Sequence, residues 1–144
     1  ELGTANGYSG IILSSKGAHL TTIEINHRIA KEAQKNFEKF NSNATIIIGD
    51  GIVEIKRLKG KYDLIFIDFI KSGYIKILED AVRLTNSTII ADNISFDNCQ
   101  DFKAEVLNSS LNLSKLPQRW LIKDATLPVG NPPPFGFKQF QKKV

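Results

Sequence analysis

Hydrophobic and polar positions follow two different periods along the chain. Short apolar runs typical of buried strands alternate with segments whose apolar residues recur every three or four positions, such as Ile29, Ala33, Phe37 and Phe40. The predicted strands are a strand end at Glu1–Gly3, His19–Glu24, Thr45–Ile48, one that ends at Asp68, one that ends at Asp92, Arg119–Asp124 and Phe135–Gln141. The predicted helices are Tyr8–Ser15, His27–Phe40, Ile52–Leu58, Tyr74–Leu84 and Gln100–Leu107. This alternation indicates an α/β fold with a parallel sheet and right-handed crossovers.

Chain length and composition predict one domain, residues 1–144. A chain of 144 residues can bury one hydrophobic core but hardly two. The segment Pro128–Pro134 is interpreted as a hairpin loop and not as a domain boundary. The sequence contains no apolar run of about 18 residues, so a membrane span is not expected. With a single cysteine, Cys99, and no visible signal peptide, we expect a cytoplasmic protein.

The charge distribution disfavours nucleic acid as the main partner. The formal net charge is +4, and its densest basic cluster is Lys56–Lys61. Such a cluster is typical of the solvated end of a helix, and one short run does not make a nucleic-acid surface.

Polar side chains follow two of the predicted strands at the points where the strands end. Asp68 and Lys71 come after one apolar run, and Asp92 and Asn93 come after the next. In an open parallel sheet, ligands bind beyond the carboxyl ends of the strands, so we expect these side chains in one crevice. Three oxygen donors suit Mg²⁺ or a similar cation, and a neighbouring lysine could move a proton. The alternative is that the two aspartates only end strands and cap the helices that follow.

The first ten residues, Glu-Leu-Gly-Thr-Ala-Asn-Gly-Tyr-Ser-Gly, form a glycine-rich turn that leads into a predicted helix. Glycines allow close approach of the backbone to a ligand, and a helix start offers N–H groups to an anion. Glu24 follows Gly3 by 21 positions, at the end of an apolar run, where a carboxylate can accept hydrogen bonds from ribose hydroxyls. Three residues separate Gly3 from Gly7, whereas the dinucleotide-binding fingerprint has one between its first two glycines.

Six short motifs, in this order, resemble the cation-dependent O-methyltransferases of the catechol and caffeoyl-CoA type, which use S-adenosylmethionine (SAM). The motifs are Glu1–Ser9, Thr22–Asn26, Gly49–Asp50, Phe66–Asp68, Gly73–Tyr74 and Ile90–Asn93. Beyond them, Leu127–Gly130 and Gly136–Lys138 resemble the closing hairpin of the family. The resemblance implies a Rossmann-like class I SAM-dependent methyltransferase fold. We therefore expect a mostly parallel seven-stranded sheet with helices on both faces and an antiparallel final strand. The resemblance further leads us to expect that the N-terminal helices and part of the first strand of such a fold are missing from this sequence.

The resemblance also implies roles for individual residues. Lys71 would be the catalytic base, and Asp68, Asp92 and Asn93 would bind the cation. The implied SAM-binding residues are Glu1, Gly3, Thr4, Gly7, Tyr8, Ser9, Glu24, Ile25, Asp50, Gly51 and Asp68. Three of these assignments have simple alternatives, of which the first is that Glu24 is only a surface acid. Asp50, expected at the adenine edge, could be only a helix cap, and Ser9, expected at the SAM carboxylate, could be an ordinary first-turn residue.

The expected function is therefore transfer of a methyl group from SAM to a hydroxyl of a catechol-like or other small hydroxylated acceptor. Mg²⁺ or another divalent cation would assist the reaction. The resemblance is also compatible with a homodimer. Two alternatives stay open from the sequence: a cation-dependent enzyme that methylates a hydroxylated tRNA base, and a non-catalytic SAM-binding module.

Overall fold

A computed structural model of the chain describes residues 1–95, 97–108, 119–123 and 138–140. The chain divides into two compact units, Glu1–Leu58 and Lys59–Val144, which are described separately below. That all 144 residues form one domain stays a prediction.

The first unit is a small parallel α/β arrangement. Its elements are α1 (Tyr8–Ser14), β1 (Leu20–Glu24), α2 (His27–Lys39), β2 (Ala44–Ile48) and α3 (Gly51–Arg57). β1 and β2 pair in parallel, from Leu20 beside Ala44 to Glu24 beside Ile48. Leu2 forms a further parallel bridge with Ile23, which confirms that a strand end lies at the start of the chain. The carboxyl end of β1 therefore lies directly beside the glycine-rich turn.

The core of the first unit explains the close packing of α1. Ala33 and Phe37, on the apolar face of α2, pack with Leu20 of β1. A Cβ added at Gly10 of α1 would lie 2.8 Å from Leu20 Cδ2 and 2.8 Å from Phe37 Cζ. With any larger residue at this position, Leu20, Phe37 or α1 itself would have to shift, so glycine allows α1 to pack closely against β1 and α2.

The second unit contains a four-stranded sheet. Its elements are β3 (Tyr62–Ile67), α4 (Tyr74–Leu84), β4 (Thr85–Asp92), α5 (Gln100–Asn108), β5 (Arg119–Lys123) and β6 (Lys138–Phe140). Two 3-10 turns, Lys71–Gly73 and Asp97–Cys99, precede α4 and α5. The strand order is β3-β4-β5-β6, in which β3, β4 and β5 are parallel and β6 is antiparallel to β5. The predicted parallel sheet with an antiparallel final strand is confirmed. In the part of the chain that the structure describes, six strands and the Leu2 bridge match the seven expected strands in number and order.

Helix α4 supplies one side of the core of the second unit. Its buried residues are spaced three and four positions apart, as an amphipathic helix requires. They are Tyr74, Ile77, Leu78, Ala81 and Leu84. The buried residues of the adjacent strands are Ile65, Ile67, Ile89 and Ala91. This packing fixes the start of α4 beside the carboxyl ends of β3 and β4.

Two features of the second unit differ from the sequence-based prediction. β4 begins at Thr85, immediately after α4, and not at the apolar run that starts at Thr88. Its first residues are held by polar contacts, since the Thr85 hydroxyl lies 3.3 Å from the Tyr62 carbonyl and accepts from Ser87 N at 3.2 Å. The 3-10 turn Lys71–Gly73 was also not predicted.

Parts of the predicted C-terminal region lie outside the described residues. These parts are the hairpin loop at Pro128–Pro134, the motif Leu127–Gly130 and the outer residues of the last predicted strand. Within the described ranges, none of the helices has both the length and the apolar character that crossing a membrane requires.

Candidate functional site

The glycine-rich turn adopts the backbone conformation that its glycines allow. Gly3 and Gly7 have positive φ values of 99° and 87°, which favour glycine over residues that carry a Cβ. Gly7 donates its N–H to the Thr4 carbonyl at 2.9 Å and directly precedes α1. The turn therefore runs from the strand end at Leu2 to the first residue of α1.

Glu24 binds this turn through its carboxylate. The side chain is nearly buried, with 9% exposure. Its Oε2 accepts from Ala5 N at 2.9 Å, and its Oε1 accepts from Asn26 N at 2.9 Å. Ala5 has a φ of 46°, in the left-handed region that costs an alanine about 1–2 kcal/mol, so the Glu24 contact helps to hold a strained residue. The structure thus brings Glu24 and the turn together, and the binding of ribose by Glu24 stays a prediction.

A second carboxylate organises the other side of the turn. Glu1 accepts hydrogen bonds from Ser9 Oγ at 2.6 Å and from Thr22 Oγ1 at 2.7 Å. Thr22 also pairs with the hydroxyl of Thr4 at 2.6 Å, and both threonines are fully buried. Sequence reasoning assigned no role to Thr22, although a polar residue inside an apolar strand is a signal for such a network. Ser9 is thereby fixed against Glu1, and its contact with the SAM carboxylate stays a prediction.

The remaining predicted SAM-binding residues of the first unit lie on or near the ends of its elements. Asp50 caps α3, because its Oδ1 accepts from Ile52 N at 2.8 Å. Asp50 therefore acts as a helix cap, as the alternative interpretation expected. The position of Asp50 at the adenine edge of SAM stays a prediction. Gly51 is the first residue of α3. Tyr8 and Ile25 are largely exposed, at 72% and 70%.

The second unit brings together the residues that follow β3 and β4. The Lys71 ammonium donates to Asp68 Oδ1 at 2.9 Å and to the Asp92 carbonyl oxygen at 3.2 Å. Its third acceptor is the hydroxyl of Tyr74, at 2.7 Å. A lysine ammonium has three N–H donors, so all of them have an acceptor here. The predicted base thus contacts Asp68 and Asp92, two of the three predicted cation ligands, and the third, Asn93, directly follows Asp92. We call these residues the strand-end cluster: Asp68, Lys71, Tyr74, Asp92 and Asn93.

The oxygen donors of the strand-end cluster have different environments. Asp92, the last residue of β4, is buried at 8% exposure, whereas the side chain of Asp68 is 40% exposed. Asn93 has a φ of 56°, a left-handed conformation that asparagine tolerates better than most residues. Among the described residues, no three His, Cys, Asp or Glu side chains are placed to hold a metal ion. A cation at this site would therefore depend on two carboxylates together with the Asn93 amide.

Tyr74 is a member of the cluster to which sequence reasoning assigned no role. Its ring is fully buried between Phe69, stacked at 5.5 Å, and Phe102, edge-on at 5.5 Å. Its hydroxyl lies 2.9 Å from the Ile67 carbonyl oxygen and 3.1 Å from that of Asp92. Burial, with a contribution from the Asp68 carboxylate, raises the pKa of the Tyr74 hydroxyl above its ordinary value, so it stays protonated. The feature of the sequence that could have identified Tyr74 is its position, three residues after Lys71 and at the start of the predicted helix α4.

Comparisons with known proteins agree with the motifs. The chain matches no protein-family model. It is 34% identical to catechol O-methyltransferase from Mus musculus over an alignment of 124 residues, which covers 76% of this chain and 47% of that protein. The chain thus spans about half the length of this curated relative.

Solved structures give the same result for the fold. An O-methyltransferase from Bacillus cereus, in complex with SAH, has a TM-score of 0.62 and 27% identity, and the match covers 77% of this chain and 53% of that one. An SAH-bound methyltransferase from Podospora anserina has a TM-score of 0.64 over 99% of this chain and 70% of that one. At 21% identity, the latter supports the fold alone. By sequence and by fold, the chain belongs to the SAM-dependent O-methyltransferases of the catechol O-methyltransferase type.

Proposed function

We propose that the protein transfers a methyl group from SAM to a hydroxyl oxygen of a catechol-like or other small hydroxylated acceptor, with the help of a divalent cation such as Mg²⁺. The observation that carries the proposal is the sequence similarity to catechol O-methyltransferase. The binding of SAH, the demethylated product of SAM, by the Bacillus cereus relative supports the choice of methyl donor.

The first unit would bind SAM. Each carboxylate oxygen of Glu24 accepts one backbone N–H, from Ala5 or from Asn26. Because a carboxylate oxygen can accept about two hydrogen bonds, both oxygens keep capacity for the ribose hydroxyls. The same contacts hold the glycine-rich turn in place, so Glu24 would bind the ligand and shape its site together.

The oxygen donors of the strand-end cluster fit a hard divalent cation. The carboxylates of Asp68 and Asp92 would balance its charge, and the Asn93 amide oxygen is a donor of the same hard type. The exposure of Asp68 keeps one side of this donor set open to solvent and to an acceptor. A bound cation would lower the pKa of the acceptor hydroxyls and fix their orientation.

Lys71 would take the proton from the attacking hydroxyl. Its side chain is 15% exposed, and its ammonium is held near the ends of β3 and β4 by three oxygen acceptors. To act as a base, the ammonium must first release one proton to solvent, which leaves two N–H donors to hold the amine and a lone pair to accept the hydroxyl proton. The acceptor oxygen would then form a bond to the methyl carbon as the bond from that carbon to the SAM sulfur breaks, which releases SAH.

Methyl transfer from labelled SAM tests this proposal. The protein would be incubated with catechols, flavonoids, acyl-CoA phenols and tRNA, each with Mg²⁺ and with a chelator. We expect label in a small hydroxylated compound, dependent on the cation. Full transfer in chelator would remove the cation from the proposal. Label in tRNA alone would replace the acceptor class, and no transfer to any acceptor would contradict the enzymatic function.

A further inference from the structure

The Tyr74 hydroxyl is the point at which three parts of the second unit meet. It accepts a hydrogen bond from Lys71 Nζ at 2.7 Å, which is the shortest of the three contacts of that ammonium. Its own proton faces two backbone carbonyl oxygens, those of Ile67 at 2.9 Å and Asp92 at 3.1 Å. These carbonyls belong to the last residues of β3 and β4. One hydroxyl thus connects the lysine to both strand ends.

The position of this hydroxyl is fixed by the packing of its ring. Tyr74 is fully buried, with Phe69 stacked on it and Phe102 against it edge-on. As the first residue of α4, it has a backbone held by the helix. The Lys71 ammonium also lies 4.9 Å from the centre of its ring, within the range of a cation–π contact. A rigid aromatic anchor of this kind restricts a side chain that otherwise has several rotatable bonds.

The other two acceptors of Lys71 do not provide the same restraint. The side chain of Asp68 is 40% exposed, and its carboxylate would also bind the proposed cation, so it is not dedicated to holding Lys71. The Asp92 carbonyl is the longest of the three contacts, at 3.2 Å. Tyr74 is therefore the acceptor that is both closest to the ammonium and fully enclosed by protein.

We propose that Tyr74 is a positioning residue, which holds the Lys71 side chain at the carboxyl ends of β3 and β4. The inference rests on the proposed function in one respect: Lys71 must take part in methyl transfer for its position to affect turnover. Tyr74 itself would not touch the substrate.

A double-mutant cycle in the protein tests this role. Tyr74→Phe keeps the ring and removes the hydroxyl. We expect kcat to fall about tenfold, the effect of losing one hydrogen bond to a charged group, with the SAM Kd and the acceptor KM little changed. In a Lys71→Ala background, Tyr74→Phe should have almost no further effect on kcat, because the two residues act as a unit. Tyr62→Phe, the same chemical change at the far end of β3, is the matched control and should leave kcat unchanged. Equal losses of kcat from Tyr74→Phe in both backgrounds would overturn the inference.

A second readout is independent of turnover. Acetylation of the Lys71 amine by acetic anhydride would be followed by peptide mass spectrometry, with the exposed Lys56 and Lys59 as internal references. Tyr74→Phe should speed modification of Lys71 severalfold relative to these references, and Tyr62→Phe should not. If the wild type transfers no methyl group, the proposed function fails, and this measurement still decides whether Tyr74 holds Lys71. An unchanged acetylation rate at Lys71 would show that it does not.

Discussion

Replacing Glu24 with glutamine should weaken SAM binding and destabilise the turn at the same time. The carboxylate accepts one backbone N–H on each oxygen, at 2.9 Å from Ala5 and 2.9 Å from Asn26. Glutamine keeps one accepting oxygen and places an NH₂ group against the other N–H. One charge-assisted hydrogen bond is lost, which is worth about 1.5–3 kcal/mol of unfolding free energy. A ribose bound by the same carboxylate would lose a similar amount, so the SAM Kd should rise roughly ten- to hundredfold.

The assay for this prediction is calorimetric titration with SAM, together with urea unfolding of both proteins. Glu32→Gln, on the exposed face of α2, makes the same change in net charge and should alter neither quantity. A SAM Kd that is unchanged in Glu24→Gln would refute the assignment of Glu24 to the ribose. If only the unfolding free energy then fell, Glu24 would be a structural clamp for the turn.

Three further predictions concern the strand-end cluster and the core. Lys71→Ala should fold and bind SAM but lose methyl transfer by about 10²-fold or more, as measured by label transfer at saturating substrates; turnover near the wild-type value would remove the lysine from the reaction. Asp92→Ala should show in Mg²⁺ the same low transfer that the wild type shows in chelator, and a variant still stimulated by the cation would contradict a ligand role for Asp92. Gly10→Ala should lower the unfolding free energy by roughly 1–3 kcal/mol, because the new methyl would overlap Leu20 and Phe37. Urea unfolding checks this last effect, and a variant as stable as the wild type would show that α1 can shift without cost.

The fold was largely predictable because the spacing of apolar residues within each segment indicates whether that segment forms a helix or a strand. α4 was predicted with its observed bounds, since its apolar residues from Tyr74 to Leu84 keep a helical period throughout. The start of β4 was missed for a physical reason. Asn86 and Ser87 are polar, and this segment belongs to the sheet because Thr85 pairs with Tyr62 of β3. The spacing of apolar residues does not predict strand pairing that involves polar residues.

Four of the five residues of the strand-end cluster were predicted from the sequence, but Tyr74 and the hydrogen bonds within the cluster were not. Asp68, Lys71 and Asp92 could be placed together, because parallel strands bring their carboxyl ends to the same edge of a sheet. Tyr74 could not be assigned to Lys71 in the same way. Its role depends on the unpredicted 3-10 turn Lys71–Gly73, which brings the lysine back over the first residue of α4. The pattern of apolar and polar residues does not specify the conformation of a three-residue turn of this kind.

Following a deuterated methyl group shows directly whether the protein transfers a methyl group from SAM to a hydroxyl oxygen. The protein would be incubated with catechol, Mg²⁺ and SAM that carries a CD₃ group on its sulfur, and the products would be identified by mass spectrometry and NMR. We expect the CD₃ group to appear on a catechol oxygen and SAH to accumulate in equal amount. Unlabelled catechol and intact SAM, in a sample for which calorimetry shows that SAM is bound, would contradict this expectation.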